Sequence, residues 1–250
     1  MPFLSDARGP DDLRLYAIGD VHGRLDLLRA AHGRIAADIT RRPCRAFRVI
    51  HLGDYIDRGP DSAGVVSHLI EVCRDGDGVC LAGNHDLLAP SFLRNPGESA
   101  DFWLTWGGDA TLRSYGVDVD APELAGKPWR EVRDVFEAAL PESHARFFDT
   151  LKFHESHGDF LFVHAGVRPG VRVEKQTPSD VTMIREPFLS DERDHGCVVV
   201  HGHTITETPD VRPNRIGIDT GAWRTGRLTT LVIDGPRKAF LDEAGYVPIG

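Results

Sequence analysis

Short apolar runs alternate with helically spaced stretches through the first third of the chain. Residues 13–19 read as a strand that ends in a loop, and 25–39 carry apolar side chains at helical spacing. Residues 47–52 form the next strand pattern. A helix over 61–73 follows, opened by Pro60-Asp61-Ser62, then a short strand at 79–82 and the start of a helix at 87–93. This strand–helix alternation predicts a mostly parallel sheet with helices on its faces.

Residues 95–151 change character. They hold Trp103, Trp106 and Trp129, three of the four tryptophans, and read as helical, with an amphipathic segment at 131–140. We expect a helical insertion over the strand ends, within one domain spanning 1–250. Strands resume at 160–163, 197–200, 215–218 and 228–233. They predict a second sheet packed against the first, so the fold class is α/β (α+β) with a sandwich of sheets flanked by helices.

Composition narrows this picture only slightly. Of the residues, 41% are hydrophobic and 27% charged, as in ordinary globular proteins, and the recurrent apolar runs argue against disorder. The formal charge of −9 disfavours a polyanionic nucleic-acid partner. Cys44, Cys73, Cys80 and Cys197 include no CxxC pair, so the spacing does not indicate a structural zinc knuckle, and their apolar flanks suit reduced, part-buried thiols. The first residues lack a basic-then-apolar leader pattern, and no stretch approaches the roughly 18 apolar residues of a membrane span. The expected setting is the cytoplasm, with no membrane partner and a monomer as the default state.

The chemistry sits in five motifs, each following a predicted strand. They are Gly19-Asp20-Val21-His22-Gly23, Gly53-Asp54-Tyr55-Ile56-Asp57-Arg58-Gly59, Gly83-Asn84-His85, His164-Ala165-Gly166 and His201-Gly202-His203. Strands of an α/β sheet deliver loops to one edge, where ligands bind, and glycines let the backbone turn sharply there. The side chains between the glycines are Asp, His and Asn. These oxygen and nitrogen donors suit hard to borderline divalent cations, and a mixed set of this kind suits two ions, roughly 3.5–4 Å apart, sharing one carboxylate. A lone Gly-Asp is usually a turn and a lone buried His usually a packed one. Five such motifs at five strand ends are a different matter.

In this order the motifs resemble the PPP-type metallophosphatases: the serine/threonine protein phosphatases, their bacterial branch, and the wider calcineurin-like superfamily. The resemblance runs from Tyr16 to about Trp223. It implies a calcineurin-like β-sandwich with a dinuclear site at its top. By motif, Asp20 and His22 resemble ligands of one metal, Asp54 the bridging carboxylate, and Asn84, His164 and His203 ligands of the other. His201 is read as structural or supporting. Arg58 resembles a phosphate-binding arginine, and a planar guanidinium suits that task. Arg185, in Met183-Ile184-Arg185-Glu186, resembles a second one, with Arg168 as a fallback. His85 resembles the general acid for the leaving oxygen, charged and oriented by Asp57. For Asp57, a surface salt bridge with Arg58 is the competing reading.

The resemblance implies that two metals lower the pKa of a bridging water, which then attacks phosphorus in line. The donor set suggests manganese, with zinc or iron as alternatives. Two departures bear on substrate. Asp86 stands where protein phosphatases commonly have Glu, and Ala165 where many have Gly. Both also resemble the symmetrical diadenosine tetraphosphate hydrolases. Retention of Asp57 before Arg58, and the segment 106–116, resemble bacterial protein phosphatases instead. The expectation is therefore hydrolysis of a phosphoserine, phosphothreonine or phosphotyrosine ester in a protein, or of another small phosphoester, with symmetrical diadenosine tetraphosphate hydrolysis as the alternative. A catalytically silent binding module is disfavoured because no motif residue is lost.

Overall fold

The computed structural model describes residues 3–242 and 245–249. The chain begins β1 (Arg14–Ile18), α1 (Leu25–Arg41), β2 (Phe47–His51), α2 (Ser62–Val72) and β3 (Gly78–Cys80). Helices alone follow: α3 (Leu88–Arg94), α4 (Pro96–Thr105), α5 (Gly108–Ser114), α6 (Trp129–Ala139) and α7 (Glu142–Asp149). Next come β4 (His154–His157), β5 (Phe160–Val163), α8 (Pro178–Met183), β6 (Val198–His201), β7 (Asp210–Val211), β8 (Arg215–Gly217) and α9 (Ala222–Thr225). The last elements are β9 (Thr230–Asp234), β10 (Arg237–Asp242) and β11 (Gly245–Pro248).

Two sheets form, ordered β11-β10-β9-β1-β2-β3 and β4-β5-β6-β8-β7. Successive side chains on a strand face opposite ways, and β1 uses both faces. Tyr16 and Ile18 pack into the helix layer with Leu28, Val65, Leu69, Trp103 and Phe136. Leu15 and Ala17 face the other sheet and meet Phe160, Phe162, Val198, Val200 and Ile216. Burial on both faces explains why β1 and β5 read as unbroken apolar runs rather than as alternating ones. The far face of the second sheet, Leu161, Val163 and Val199, is covered by Val181 and Phe188 from the segment around α8.

The first sheet is not mostly parallel. β1, β2 and β3 are parallel, but β9 runs antiparallel to β1, and β10 and β11 continue antiparallel. The strand read at 228–233 as part of the second sheet instead pairs here, beside β1, and a tight hairpin then sets β10 against β9: Asp234 pairs with Arg237 across Gly235, whose φ is 58°. Asp-Gly is a strong hairpin signal, and Gly supplies the positive φ. In β10 the charged Arg237 and Lys238 mask the apolar pattern.

For the site, the parallel strands matter most. β1, β2 and β3 run together in one sheet and β5, β6 and β8 in the other. The carboxyl ends of β1, β2, β3, β5 and β6 lead into the five motifs, and that of β8 into Asp219. Asp61 caps α2 by accepting from the Gly64 N–H at 2.8 Å, which ends the second motif loop in a fixed place. No helix among the described residues is long and apolar enough to cross a membrane.

Phe162 lies wholly inside the inter-sheet core. Phe162→Ala is expected to cost about 3–5 kcal/mol in urea unfolding, through lost burial and an unfilled cavity. Phe102→Ala, at an exposed ring, should stay within about 0.5 kcal/mol. Equal effects at the two positions would contradict this account of the core.

Candidate metal centre

Among the described residues, five other than glycine have positive φ: His22 (44°), Asp54 (53°), Asp57 (72°), Arg58 (68°) and His203 (62°). All five belong to the motifs. Each such conformation costs of order 1 kcal/mol or more, and it persists only where the surroundings enforce it. The motif glycines let the loops close on each other. A Cβ at Gly83 would collide with the Asp54 carboxylate, and one at Gly202 with that of Asp20.

Asp54 is the centre of the arrangement. Its Oδ2 lies 3.4 Å from His22 Nε2, and its Oδ1 lies 3.4 Å from His164 Nε2. Two donor groups therefore overlap at one carboxylate: His22, Asp54 and His85 on one side, and Asp54, His164 and His203 on the other. His22 Nδ1 donates to Ile56 O at 2.8 Å, and His164 Nδ1 to Leu52 O at 2.9 Å. Each Nε2 is thereby left with its lone pair turned inward, the arrangement typical of ligating histidines. Asn84 Oδ1 lies 3.0 Å from His164 Nε2. His203 Nε2 is buried and has no hydrogen-bond partner, an otherwise costly state that a cation would relieve. Asp20 accepts the His203 N–H and lies beside Asp219.

The electrostatics agree. Burial, then the charges of Asp219 and Asp54, push the Asp20 carboxyl well above its ordinary range. Burial also opposes Asp54's charge, but His164, His85 and His22 around it hold its carboxyl well below the usual range. Burial pushes His164 down, and burial with the neighbouring His164 pushes His203 down to about 3. Neutral imidazoles beside crowded carboxylates are the form in which these groups bind divalent cations. The residues present fit a pair of such ions sharing Asp54.

His85 belongs to the first donor group by distance, but it has a carboxylate partner of its own. Its Nδ1 donates to Asp57 Oδ2 at 2.7 Å. Asp57 is fully buried and also accepts from Trp103 Nε1 at 2.9 Å and Thr111 Oγ1 at 2.6 Å. The expected competitor, an Asp57–Arg58 salt bridge, is not formed. Burial disfavours the His85 charge, but Asp54 and the Asp57 hydrogen bond outweigh it and raise its pKa. Arg58 donates to Nε2 of His22 at 3.1 Å and of His85 at 2.9 Å, and lies over the rings of Trp106 and Trp223. For His22 to ligate through Nε2, the guanidinium must release it and turn toward an incoming phosphate.

Arg185 is exposed, on the segment after α8, and its charge is among those that lower the His203 pKa. Arg168 is engaged with Asp180 through Nε at 3.1 Å and Nη2 at 2.6 Å, which makes it the poorer candidate. His201 Nδ1 donates to Gly202 O and its ring packs edge-on against Phe188, so it supports the loop from behind.

Sequence reasoning did not assign four contributors. Asp219 is buried beside Asp20 and follows β8, and its strand–Gly–Ile–Asp pattern was a usable signal. Asp86 accepts the N–H groups of Asp54, Tyr55 and Gly83, each at 2.8 Å, tying the second and third motif loops together. Trp103 and Thr111 reach Asp57 from α4 and α5, and nothing local in sequence marks that contact.

Comparison with known proteins gives a consistent result. Residues 13–223 match the calcineurin-like phosphoesterase family. A bis(5'-nucleosyl)-tetraphosphatase of the asymmetrical type from Oceanobacillus iheyensis is 23% identical over 254 residues, covering 94% of each chain. A crystal structure provisionally named a diadenosine tetraphosphatase superposes with a TM-score of 0.62 at 19% identity, covering 99% of this chain and 96% of that one. A cold-active protein-tyrosine phosphatase from a psychrophilic Shewanella gives 0.61 at 14% identity, covering 96% and 82%. At these identities the two structures speak for the fold alone.

Asp54→Asn should be the most damaging single change, because it weakens both donor groups at once. Fewer divalent ions should remain per chain after dialysis, measured by elemental analysis. Retention of two ions together with wild-type turnover of nitrophenyl phosphate would remove Asp54 from the centre of the site.

Proposed function

Because the chain belongs to the calcineurin-like phosphoesterase family, we propose that it is a two-metal hydrolase of dinucleoside polyphosphates. The observation that carries the substrate class is the tetraphosphatase relative that aligns along 94% of both chains. The half-exposed rings of Trp106 and Trp223, which flank Arg58, offer surfaces on which a nucleobase can stack beside a phosphate-binding guanidinium. This departs from the phosphoprotein reading that the sequence favoured.

In this reading Asp20, His22 and Asp54 hold one ion, and Asp54, Asn84, His164 and His203 the other, with manganese as the expected metal. When bound, the pair supplies Lewis acidity and a nucleophile at neutral pH. Arg58 turns from the two histidines to the phosphoryl oxygens, which it can meet with two parallel N–H bonds. Arg185, near His203, is the second cation for the phosphate chain. The Nδ1–H bond to Asp57 favours the His85 imidazolium; once Arg58 has turned away, His85 carries a second proton on Nε2 and gives that one to the leaving oxygen, keeping the Nδ1 proton.

The His85–Asp57 pair keeps a second reading in play, hydrolysis of phosphate monoesters on proteins. An alkoxide leaving group needs a proton donor more than a phosphate leaving group does. A buried carboxylate held by Trp103 and Thr111 is an elaborate support for an acid that an anhydride requires less.

Two experiments separate the readings. With manganese, diadenosine tetraphosphate and a phosphothreonine peptide are offered at matched concentrations. The dinucleotide should have the higher specificity constant, and its products, either ATP with AMP or two ADP, report the bond attacked. A clear preference for the peptide would overturn the substrate assignment while leaving the metal centre standing.

The second is His85→Asn. It should lose roughly 100-fold or more on an alkyl phosphate with metals retained, and much less on the dinucleotide. A wild-type rate on the alkyl phosphate would take His85 out of the acid role.

A further inference from the structure

No two cysteines are close in a CxxC pattern, but the fold brings two together. Cys73 is the residue that ends α2, and Cys80 closes β3; their Sγ atoms are 3.7 Å apart. His51 closes β2, and its Nδ1 lies 3.8 Å from Cys80 Sγ. The ligand atoms of the three all fall within 4.8 Å of one another. A tetrahedral zinc with Zn–S of about 2.3 Å and Zn–N of about 2.0–2.1 Å has edges of about 3.8 Å between sulfurs and about 3.6 Å from sulfur to nitrogen. The observed separations are close to those edges. A disulfide would instead need the sulfurs at about 2.05 Å, and it would give His51 no part.

We propose that Cys73, Cys80 and His51 bind one thiophilic cation of the zinc type, at a site separate from the two-ion centre. Three protein ligands leave a fourth tetrahedral position for water. The donor set explains the separation: two sulfurs and an imidazole favour a soft to borderline ion, whereas the two-ion centre offers only oxygen and nitrogen.

Three further observations fit. Gly78 is where the chain passes Cys73, and a Cβ there would collide with its sulfur, so the space beside the sulfur is kept clear. The two thiols share one hydrogen bond at 3.7 Å, so each sulfur already faces the other. Finally, His51 heads a chain of imidazoles: its Nε2 is 2.9 Å from His32 Nε2, and His32 Nδ1 is 2.9 Å from His68 Nε2. Each contact needs one N–H and one lone pair. If His51 Nδ1 ligates, its Nε2–H donates to His32 and His32 Nδ1–H donates to His68, so one tautomer runs through the chain. The Val79 carbonyl, 3.0 Å from His51 Nδ1, takes the opposite tautomer when no cation competes.

The site would clamp α2 to the edge of the first sheet, where β3 is only three residues long. It lies under the loops that carry Asp54 and Asn84, since Tyr55 donates its hydroxyl to both His51 O and Leu81 O. The expected effect of the ion is therefore on stability, with little on turnover.

The test is cobalt(II) titration of the full chain, reduced and stripped of metal. Thiolate-to-cobalt charge-transfer absorption in the near ultraviolet reports sulfur ligation, which the two-ion centre cannot produce. Wild type should develop the band and an upward Tm shift. Cys73→Ser should lose both but keep wild-type phosphoesterase activity with manganese, which also shows that it folds. Asp54→Asn should keep the band while losing activity.

Absence of the band in wild type would overturn the proposal whatever the variants do, and so would a band that persists in Cys73→Ser. Neither result touches the two-ion centre, and failure of the Asp54 assignment leaves this site unaffected.

Discussion

One buried carboxylate organises the functional end of this protein. Asp54 turns its two oxygens toward different histidine groups, and it does so from a backbone conformation that non-glycine residues rarely adopt. Nothing in that geometry is stable alone. The charge is held by three surrounding imidazoles, and the strained loop by the N–H bonds that Asp86 accepts from Asp54, Tyr55 and Gly83. Asp86 thus does for the backbone what the histidines do for the charge. Its shorter side chain relative to Glu fits a role inside the loops rather than in the reaction.

The rest of the architecture follows from the need to bring such loops together. Two sheets stacked through Phe160, Phe162, Val198 and Val200 place the ends of β1, β2 and β3 opposite those of β5, β6 and β8. Asp54 belongs to one sheet and His164 and His203 to the other. Ligand distances are therefore set by the inter-sheet core, far from any motif. The helices between β3 and β4 contribute differently. They leave the metal donors alone and reach in through Trp103 and Thr111 to fix Asp57, so the acid's support is built by an element separate from the sheets.

Much of this was legible in the sequence because the motifs are local. Glycine-flanked donors after an apolar run announce a strand end and its chemistry together, so the six residues proposed as ligands converge where the pattern placed them. What escaped depends on distance or on masking. The strand read at 228–233 was expected in the second sheet, but β9 pairs antiparallel with β1 in the first; β10 was hidden by its charges, although Asp234-Gly235 marked its hairpin. Trp103 was read only as part of a tryptophan-rich segment, since no rule of spacing links residue 103 to residue 57. Cys73 and Cys80 defeated a spacing rule from the other direction: the chain separates them by a turn and a strand, and the fold restores the proximity that CxxC would have advertised.

Substrate choice is the property least tied to the metal donors. A two-ion centre with an adjacent arginine treats the terminal phosphate of a protein ester and the inner phosphate of a dinucleotide as similar targets, since both present non-bridging oxygens to the same cations. The discrimination must then come from two places: the leaving group, where His85 is proposed to act, and the remote part of the substrate, which would meet the rim. The rim here is aromatic and partly exposed, with Phe102, Trp106 and Trp223 around Arg58. Flat rings reward a nucleobase through stacking and give an extended peptide backbone few hydrogen-bond partners. The acid favours one class and the rim the other. Stacking acts on every encounter with a nucleotide, whereas the acid matters only when the leaving group is poor. The two features coexist without conflict under the proposed reading, in which a nucleotide anhydride is the usual substrate and simple esters are cleaved as well.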